Sequence, residues 1–487
     1  MDRRDFLKKC AAVGAGGFVL SNRTLKVRTG AKKPNIVFIM IDDMGARDVG
    51  FMGSEYYETP NIDKLAAEGM VFTNAYANAA NCAPTRACFL TGQYSPRHGV
   101  YTVGSSARGS SSDRRLIPIA NDTTLDSHHI TIAEALKPAG YVSVSIGKWH
   151  MGTDPDLGPI GQGFDVNVGG FSAGSPPGGY FSPYRNPELP NGPDGEYLTD
   201  RLTDEALKFI DANKDRPFFL YMTHYAVHTP IQAKADLIAK YQDKPPSNGQ
   251  DNPKYAAMID SVDQGVGRMM EKLDDLELTD NTVVFFFSDN GGYVGATSNQ
   301  PLRGFKGTFY EGGIREPMLV RWPGVVKPGT TCDSPVISTD FFPTILEMAG
   351  AKKPPGKTLD GESIVTLLKG QTTLNREAIF WHFPAYLQGN VPGARDSKFR
   401  TRPVAVVRKG GWKLLLFFEE WVLDGGKGSI DTNNAIELYD LESDISETNN
   451  LANTNEPKRD ELLNLLIDWQ ESVGAPIPTQ PNPDYAG

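Results

Sequence analysis

A chain of 487 residues that is 39% hydrophobic and 22% charged has enough apolar content for a sizeable core, and its composition excludes a disordered chain, a fibrous repeat or a coiled coil. Its formal net charge of −10 argues against nucleic acid as a partner, so an anionic substrate would have to be met by a local basic pocket.

Residues 1–30 read as an export signal: Arg3-Arg4, then Phe6-Leu7-Lys8, then an apolar run from Cys10 to Leu20 too short to cross a bilayer. The arginine pair resembles a twin-arginine signal, which exports folded proteins. A periplasmic or extracellular protein is therefore expected, with no membrane association after the signal is removed. The segment carries seven Lys/Arg against two Asp/Glu, a net +5, which leaves about −15 on the rest of the chain. Beyond it only Cys82, Cys88 and Cys332 remain; this is no disulfide framework, and a Cys88–Cys332 pair stays open.

Four apolar runs then each end in polar residues. Ile36 to Ile41 leads into Asp42-Asp43, and Tyr141 to Ile146 into Gly147-Lys148-Trp149-His150. Phe218 to Met222 leads into a loop with His224 and His228, and Val283 to Phe287 into Ser288-Asp289-Asn290. Runs without polar alternation suit strands buried on both faces, and helical patterns at Thr131 to Lys137, Thr199 to Ala212 and Tyr255 to Leu276 supply the crossovers. The expected class is α/β, a large, mainly parallel sheet sandwiched by helices, with the four polar clusters at the carboxyl ends of its strands. After residue 375, Ala378 to Phe383, Val404 to Lys409, Trp412 to Phe418 and Ile436 to Tyr439 read as antiparallel strands, followed by a helix from Pro457 to Ser472. The expected division is a catalytic domain over 31–372 and a smaller C-terminal α+β domain over 373–487.

Asp42, Asp43, Asp289 and Asn290 offer only oxygen donors, which favour Ca²⁺ or Mg²⁺ over zinc; turn and cap roles explain the same residues without a metal. Pro84 suits the first turn of a helix, which places Cys82 at a helix N-terminus, where an anion is stabilised and a thiol pKa lowered. On physics alone, a reactive thiol and a structural cysteine both remain open.

Cys82-x-Pro84-x-Arg86 resembles the sulfatase motif in which a dedicated enzyme oxidises the cysteine to formylglycine. The segment Gly140 to His150 resembles the second signature of that family. The likeness continues through Asn35 to Asp43, His228-Thr229-Pro230, Ser288 to Gly292, Arg303 to Thr308, Glu311 to Arg315 and Arg321 to Gly324. It extends to Glu437 to Leu441 and Asn450-Leu451-Ala452, so it spans nearly the whole chain after the signal. Ala83 and Thr85 stand where Ser is frequent, and Asn81 where a less polar residue is usual.

The resemblance to formylglycine-dependent sulfatases implies an alkaline phosphatase-like fold and a sulfuric ester hydrolase matured by a formylglycine-generating enzyme. It implies Ca²⁺, ahead of Mg²⁺, on Asp42, Asp43, residue 82, Asp289 and Asn290, with hydrated formylglycine at 82 as nucleophile. Arg86 would lower the pKa of the attacking hydroxyl, and Lys148 and Lys306 would hold the sulfate. His228 would protonate the leaving alcohol, assisted by Lys306, and His150 would accept a proton from the second hydroxyl to release sulfate. His224 is a further substrate-contact candidate, and His382, beside Trp381, a candidate for the substrate mouth. The expected substrate is a sulfated carbohydrate, selected by loops such as 169–191 and 381–400. A phosphonate monoester or phosphodiester hydrolase, or a noncatalytic binder of sulfated glycans, are the alternatives.

Overall fold

Strand β1, Asn35–Ile41, is buried along its whole length, which its unbroken apolar run requires. Ile36, Phe38 and Met40 point to one side of the sheet, Val37, Ile39 and Ile41 to the other, and each side meets its own layer of helices. Fully burying such side chains stabilises the fold by about 1.5–3 kcal/mol each, so β1 is the spine of the core. The computed structural model describes residues 33–487; the expected export signal lies outside the described residues.

Seven more strands join β1: β2 (Met70–Phe72), β3 (Val142–Gly147), β4 (Val166–Val168), β5 (Phe218–Thr223), β6 (Thr282–Ser288), β7 (Met318–Arg321) and β8 (Thr330–Cys332). Their order is β4-β3-β5-β1-β6-β7-β2-β8. β4, β3, β5, β1 and β6 run parallel, while β7 is antiparallel to both its neighbours. The mixed, mainly parallel sheet thus agrees with the sequence reading. The three-residue strands β2, β4 and β8 were not expected, because three residues carry no readable period.

One face is covered by helices α1 (Pro60–Ala67), α3 (Leu198–Ala212) and α4 (Pro253–Asp275). The other is covered by α2 (Cys82–Thr91), the short helix Ile132–Leu136 and α5 (Phe341–Ala349). Thr131 and Glu134 form a reciprocal capping box on the short helix, each side chain bonding the other's backbone N–H. Cys82, Cys88 and Cys332 are all free and buried, so Cys88 and Cys332 are not paired; Cys88 Sγ instead lies 3.4 Å from His98 Nε2.

A second, antiparallel sheet is formed by β9 (Ile379–Phe383), β10 (Val404–Lys409), β11 (Trp412–Phe417) and β12 (Ile436–Asp440), in that order. Helix α6 (Glu456–Val473) packs its Leu462, Leu463 and Leu466 on this sheet. Lys413 of β11, fully buried, makes ion pairs of 2.9 Å with both Glu311 and Glu447, and Tyr76 donates to Glu311 at 2.7 Å. The Glu311-Gly312-Gly313 turn is thereby tied to the C-terminal sheet. Lys413→Ala would leave two buried carboxylates facing each other. It is expected to destabilise the protein by about 3–5 kcal/mol, read as a lower urea midpoint; an unshifted midpoint would refute this account of the network.

Candidate active site

At the carboxyl ends of β3, β5, β1 and β6, Gly147 pairs with Thr223, Met40 with Thr223, and Ile41 with Ser288. The residues that follow therefore emerge along one edge, and the four polar clusters converge on it. Gly147 has φ 103, and a Cβ there would come within 2.0 Å of the Thr223 carbonyl oxygen. Only glycine allows this approach, and it turns Lys148 inward beneath the edge.

Asp42, Asp43, Asp289 and Asn290 are all fully buried. Lys148 Nζ bonds Asp42 Oδ2 at 2.6 Å, and Lys306 Nζ bonds Asp43 Oδ1 at 2.6 Å. Asn290 Nδ2 donates to Asp43 Oδ1 at 2.9 Å. Asp42 Oδ1, Asp43 Oδ2 and Asn290 Oδ1 are buried without any hydrogen-bond partner among the described residues. Orphaned buried acceptors are costly, and three that are all oxygen fit a hard divalent cation such as Ca²⁺ or Mg²⁺. Asp289 is more occupied: Oδ1 accepts the Asp43 N–H at 3.3 Å, and Oδ2 accepts from Arg86 Nε at 2.9 Å and forms an ion pair with its Nη2 at 2.7 Å.

Burial raises the pKa of Asp42, and Lys148 pulls it back. Burial acts on Asp43 in the same direction but is overcome by Lys306 and His228, which hold its carboxyl well below the usual range. Asp289 is pushed up to about 6 by burial and by the neighbouring Asp42 charge, despite Arg86.

Cys82 opens α2, and Lys306 Nζ lies 3.4 Å from its Sγ. Ligand atoms of Asp42, Asp43, Cys82 and His228 lie within 4.8 Å of one another, so His228 joins residues that the sequence reading grouped with Asp289 and Asn290 instead. Burial pushes the Cys82 thiol up to about 11, against Lys148 and Lys306. At this thiol burial outweighs the helix N-terminus and both lysines.

Arg86, one helical turn after Cys82, lies on the same side of α2 and is fully buried. Besides holding Asp289 it donates to the Lys148 carbonyl at 2.9 Å and to the Thr223 hydroxyl, which itself donates to that carbonyl at 2.9 Å. Thr223 thus locks Arg86 and Lys148 together. Sequence reasoning missed it because a threonine at a strand end carries no signature.

Lys306 is positioned from both sides: its own N–H donates to Gly292 O at 3.0 Å, and the N–H of Gly307 donates to Ala80 O at 2.9 Å. A Cβ on Gly291 would meet the Gly312 carbonyl oxygen at 2.0 Å, so the Glu311-Gly312-Gly313 turn packs directly behind Asn290. Lys306 and His228 keep side-chain exposures of 12% and 18% where the carboxylates have none. An incoming ester must therefore arrive from the side of these two residues.

His228 Nδ1 donates to the Thr229 carbonyl at 2.8 Å, which leaves Nε2 bare, 3.7 Å from Asp43 Oδ2. Burial lowers its pKa to about 4, although Asp43 opposes this. Tyr180 fixes its loop by donating to the carbonyls of Tyr225 and His228 at 2.6 and 2.8 Å. His150 has φ 70, an unpartnered Nδ1, and a pKa held well below the ordinary value by burial and by Lys148, Arg86 and Lys306. The backbone of Gly174 lies across its ring, where a Cβ would come within 2.4 Å of Cε1. The 169–191 loop thus covers His150.

His224 is fully buried with both ring nitrogens unpartnered, and burial alone brings its pKa to about 3. No site charge acts on it as those charges act on His150 and His228. His382 is not at a mouth: it is buried, its Nε2 donates to Pro476 O at 2.9 Å, and its ring packs near Phe418. The apolar neighbours that made it look like a substrate platform are core.

A mainly parallel sheet carrying buried carboxylates and cations at its carboxyl edge, with an antiparallel sheet behind, is the alkaline phosphatase-like architecture. Residues 34–351 match the family profile described as Sulfatase, and residues 305–470 the one described as N-sulphoglucosamine sulphohydrolase, C-terminal. The chain belongs to the sulfatase family and is a sulfuric ester hydrolase. It is 33% identical over 518 residues to a sulfatase of Formosa agariphila, covering 91% of this chain and 88% of that one. To the N-acetylgalactosamine-6-sulfatase of Homo sapiens it is 35% identical over 396 residues, covering 76% and 72%. The crystal structure of Ps i-CgsB in complex with k-i-k-neocarrahexaose superposes with a TM-score of 0.74 at 30% identity, covering 90% and 93%. Among the described residues no helix is long and apolar enough to cross a membrane.

Proposed function

We propose that this chain removes sulfate from a sulfated carbohydrate, with residue 82 matured to formylglycine and Ca²⁺ held by Asp42, Asp43, Asp289, Asn290 and residue 82. The observation that carries the reading is the enclosure of Cys82 Sγ within 4.8 Å of Asp42, Asp43 and His228 ligand atoms, with Lys306 Nζ 3.4 Å away. The orphaned oxygens of Asp42, Asp43 and Asn290 fit a hard cation. When present, the cation supplies Lewis-acid polarisation of the sulfate oxygens, and the hydrated aldehyde supplies the attacking hydroxyl.

The chain's own side chains do the rest. Lys148 and Lys306 now neutralise Asp42 and Asp43; a sulfate oxygen gives both ammonium groups a second acceptor, and their charge offsets the negative charge that grows on the ester. Arg86 pairs with Asp289 and holds the Lys148 backbone. His228 stands on the open side, where an arriving sulfate adds negative charge beside the ring, favours the imidazolium and lets Nε2 protonate the leaving alcohol, with Lys306 beside it. His150 is kept neutral by burial and by the cations around it, and so can accept a proton. His224, between β5 and His228, is buried with both ring nitrogens unpartnered and stays the substrate-contact candidate of the set.

A carbohydrate substrate is supported by the relatives: one is an N-acetylgalactosamine-6-sulfatase, another was solved with a neocarrahexaose. The reading includes maturation by a formylglycine-generating enzyme and export by the 1–30 segment. The 31–372 portion would carry the site, and 373–487 would brace it. Co-production with a maturing enzyme is expected to make the Cys82 peptide about 18 Da lighter by mass spectrometry. The matured protein should then release sulfate from at least one member of a panel of sulfated glycans. A thiol left intact by an active maturing enzyme would sink the nucleophile assignment, and matured protein inert on the whole panel would sink the substrate class.

A further inference from the structure

We propose that Arg108 and Arg400 form a second anion site beside the ester site, one that receives a further sulfate or carboxylate on the same or the adjoining sugar. This deepens the sulfated-carbohydrate reading above and rests on it.

Among the described residues neither arginine is paired with a carboxylate. Among the described residues the only side-chain bond of Arg108 is a 3.5 Å contact to the Val103 carbonyl, and Arg400 Nε is buried with no partner. Gly109, next to Arg108, packs against Phe399, next to Arg400, which brings the two arginine-bearing segments together; burial and the charge of Arg400 both lower the pKa of Arg108. The carboxylate nearest in sequence to Arg400 is already engaged, because Asp396 pairs with Arg402 at 2.5 Å. Two neighbouring, partly buried cations repel, and in a chain with ten excess acidic charges the missing carboxylate is informative.

Both side chains are carried by segments that pack on the immediate neighbours of the site. Arg400 lies on the strand Phe399–Thr401, between two glycines of positive φ. A Cβ on Gly307 would come 2.9 Å from its Cδ, so Gly307 leaves room for the arginine stem, and one on Gly389 would lie 3.5 Å from its Nε, an ordinary contact. Gly307 directly follows Lys306. Arg400 Cζ is also 5.9 Å from the ring centre of Tyr293, next to Gly292, whose carbonyl holds the Lys306 N–H. On the other side, the Asn81 amide donates to the Thr102 hydroxyl at 3.0 Å, which anchors the loop of Arg108 to the residue preceding Cys82. Gly109 then sits over Phe399, where a Cβ would approach Cε1 to 2.7 Å. The loop that carries Arg108 is thus held between the nucleophile's helix and the strand of Arg400.

A guanidinium fork matches the paired oxygens of a sulfate or a carboxylate, and one anion between two forks relieves their repulsion while adding charge-assisted hydrogen bonds. The neighbouring ring of Tyr293 offers a face for a sugar. A substrate with a second anion in reach is therefore favoured over one whose only charge is the scissile sulfate.

The test compares kcat/KM on matched disaccharides that share one scissile sulfate and carry a second sulfate, a uronate carboxylate, or neither. The wild type is expected to prefer one of the two dianions. Arg400→Ala and Arg108→Ala should each cut that preference at least tenfold, chiefly through KM, and the lysine variants should restore part of it. This ratio does not depend on the fraction of folded or matured enzyme. The preferred arm identifies the second group as sulfate or carboxylate. The same ratio of affinities, measured by calorimetry on Cys82→Ala protein, reads the site without turnover. It therefore still decides the matter if the wild type cleaves no sulfate ester and the reading under the previous heading fails. A wild type indifferent to the second anion, or alanine variants that lose all substrates equally, would overturn the proposal.

Discussion

Cys82→Ala is expected to lower sulfate-ester hydrolysis by about 10³-fold or more while leaving the fold intact, because losing a covalent nucleophile removes the whole pathway it opens. The position is buried within α2, and the change deletes one sulfur atom without leaving a charge or a donor unpaired. Measured without divalent cation, the urea midpoint should therefore stay close to that of wild type. The sharper comparison is with protein that has never met a maturing enzyme. Burial pushes the thiol pKa up, so unmatured protein should be as inactive as the alanine variant. Equal rates in matured and unmatured protein, or a Cys82→Ala rate within tenfold of wild type, would show that residue 82 is not the attacking group.

What could be read from the sequence follows from how local its cause was. The strands that carry the site announce themselves by unbroken apolar runs, since burial on both faces leaves no polar position, and each proved correct to within about two residues. Their polar ends were legible for the same reason: Asp42, Lys148, His228 and Asp289 each follow a run that must stop where the sheet stops. The contacts that complete the site were not legible, because they join residues far apart in the chain. Thr223 meets Arg86 across 137 positions, and Lys413 meets Glu311 across 102. Cys82 failed in a different way: the helix N-terminus lowers a thiol pKa, but complete burial raises it further, and burial is a property of the whole fold. His382 shows the converse error, since aromatic neighbours in sequence mark a core as readily as a substrate platform. Arg400 fell within a loop flagged for specificity, yet nothing in the sequence singles it out from Arg395 or Arg402, which are paired. Its distinction lies in the partner it lacks.

Removing divalent cations is expected to lower activity by about 10²-fold or more and to lower the melting temperature, with Ca²⁺ restoring both more fully than Mg²⁺. The reason is electrostatic. Three buried carboxylates converge, Asp42 and Asp289 are both pushed upward, and the ammonium groups of Lys148 and Lys306 are spent on Asp42 and Asp43. Two lysines tied to carboxylates cannot at once serve a sulfate at full strength, so the chelated protein should also bind inorganic sulfate more weakly than the Ca²⁺-loaded protein. Stability follows mass action: a ligand at a thousandfold excess over its dissociation constant adds about 4 kcal/mol to the folded state. Asp43→Asn should reduce that gain, since it removes charge from an oxygen that now has no partner, and Lys306 would lose its anchor as well. A chelated protein with unchanged melting temperature and unchanged rate would mean that Asp42 Oδ1, Asp43 Oδ2 and Asn290 Oδ1 are left bare for some other purpose. Their burial would then be an uncompensated cost, in a site where Lys148, Lys306 and Arg86 are each paired with a carboxylate.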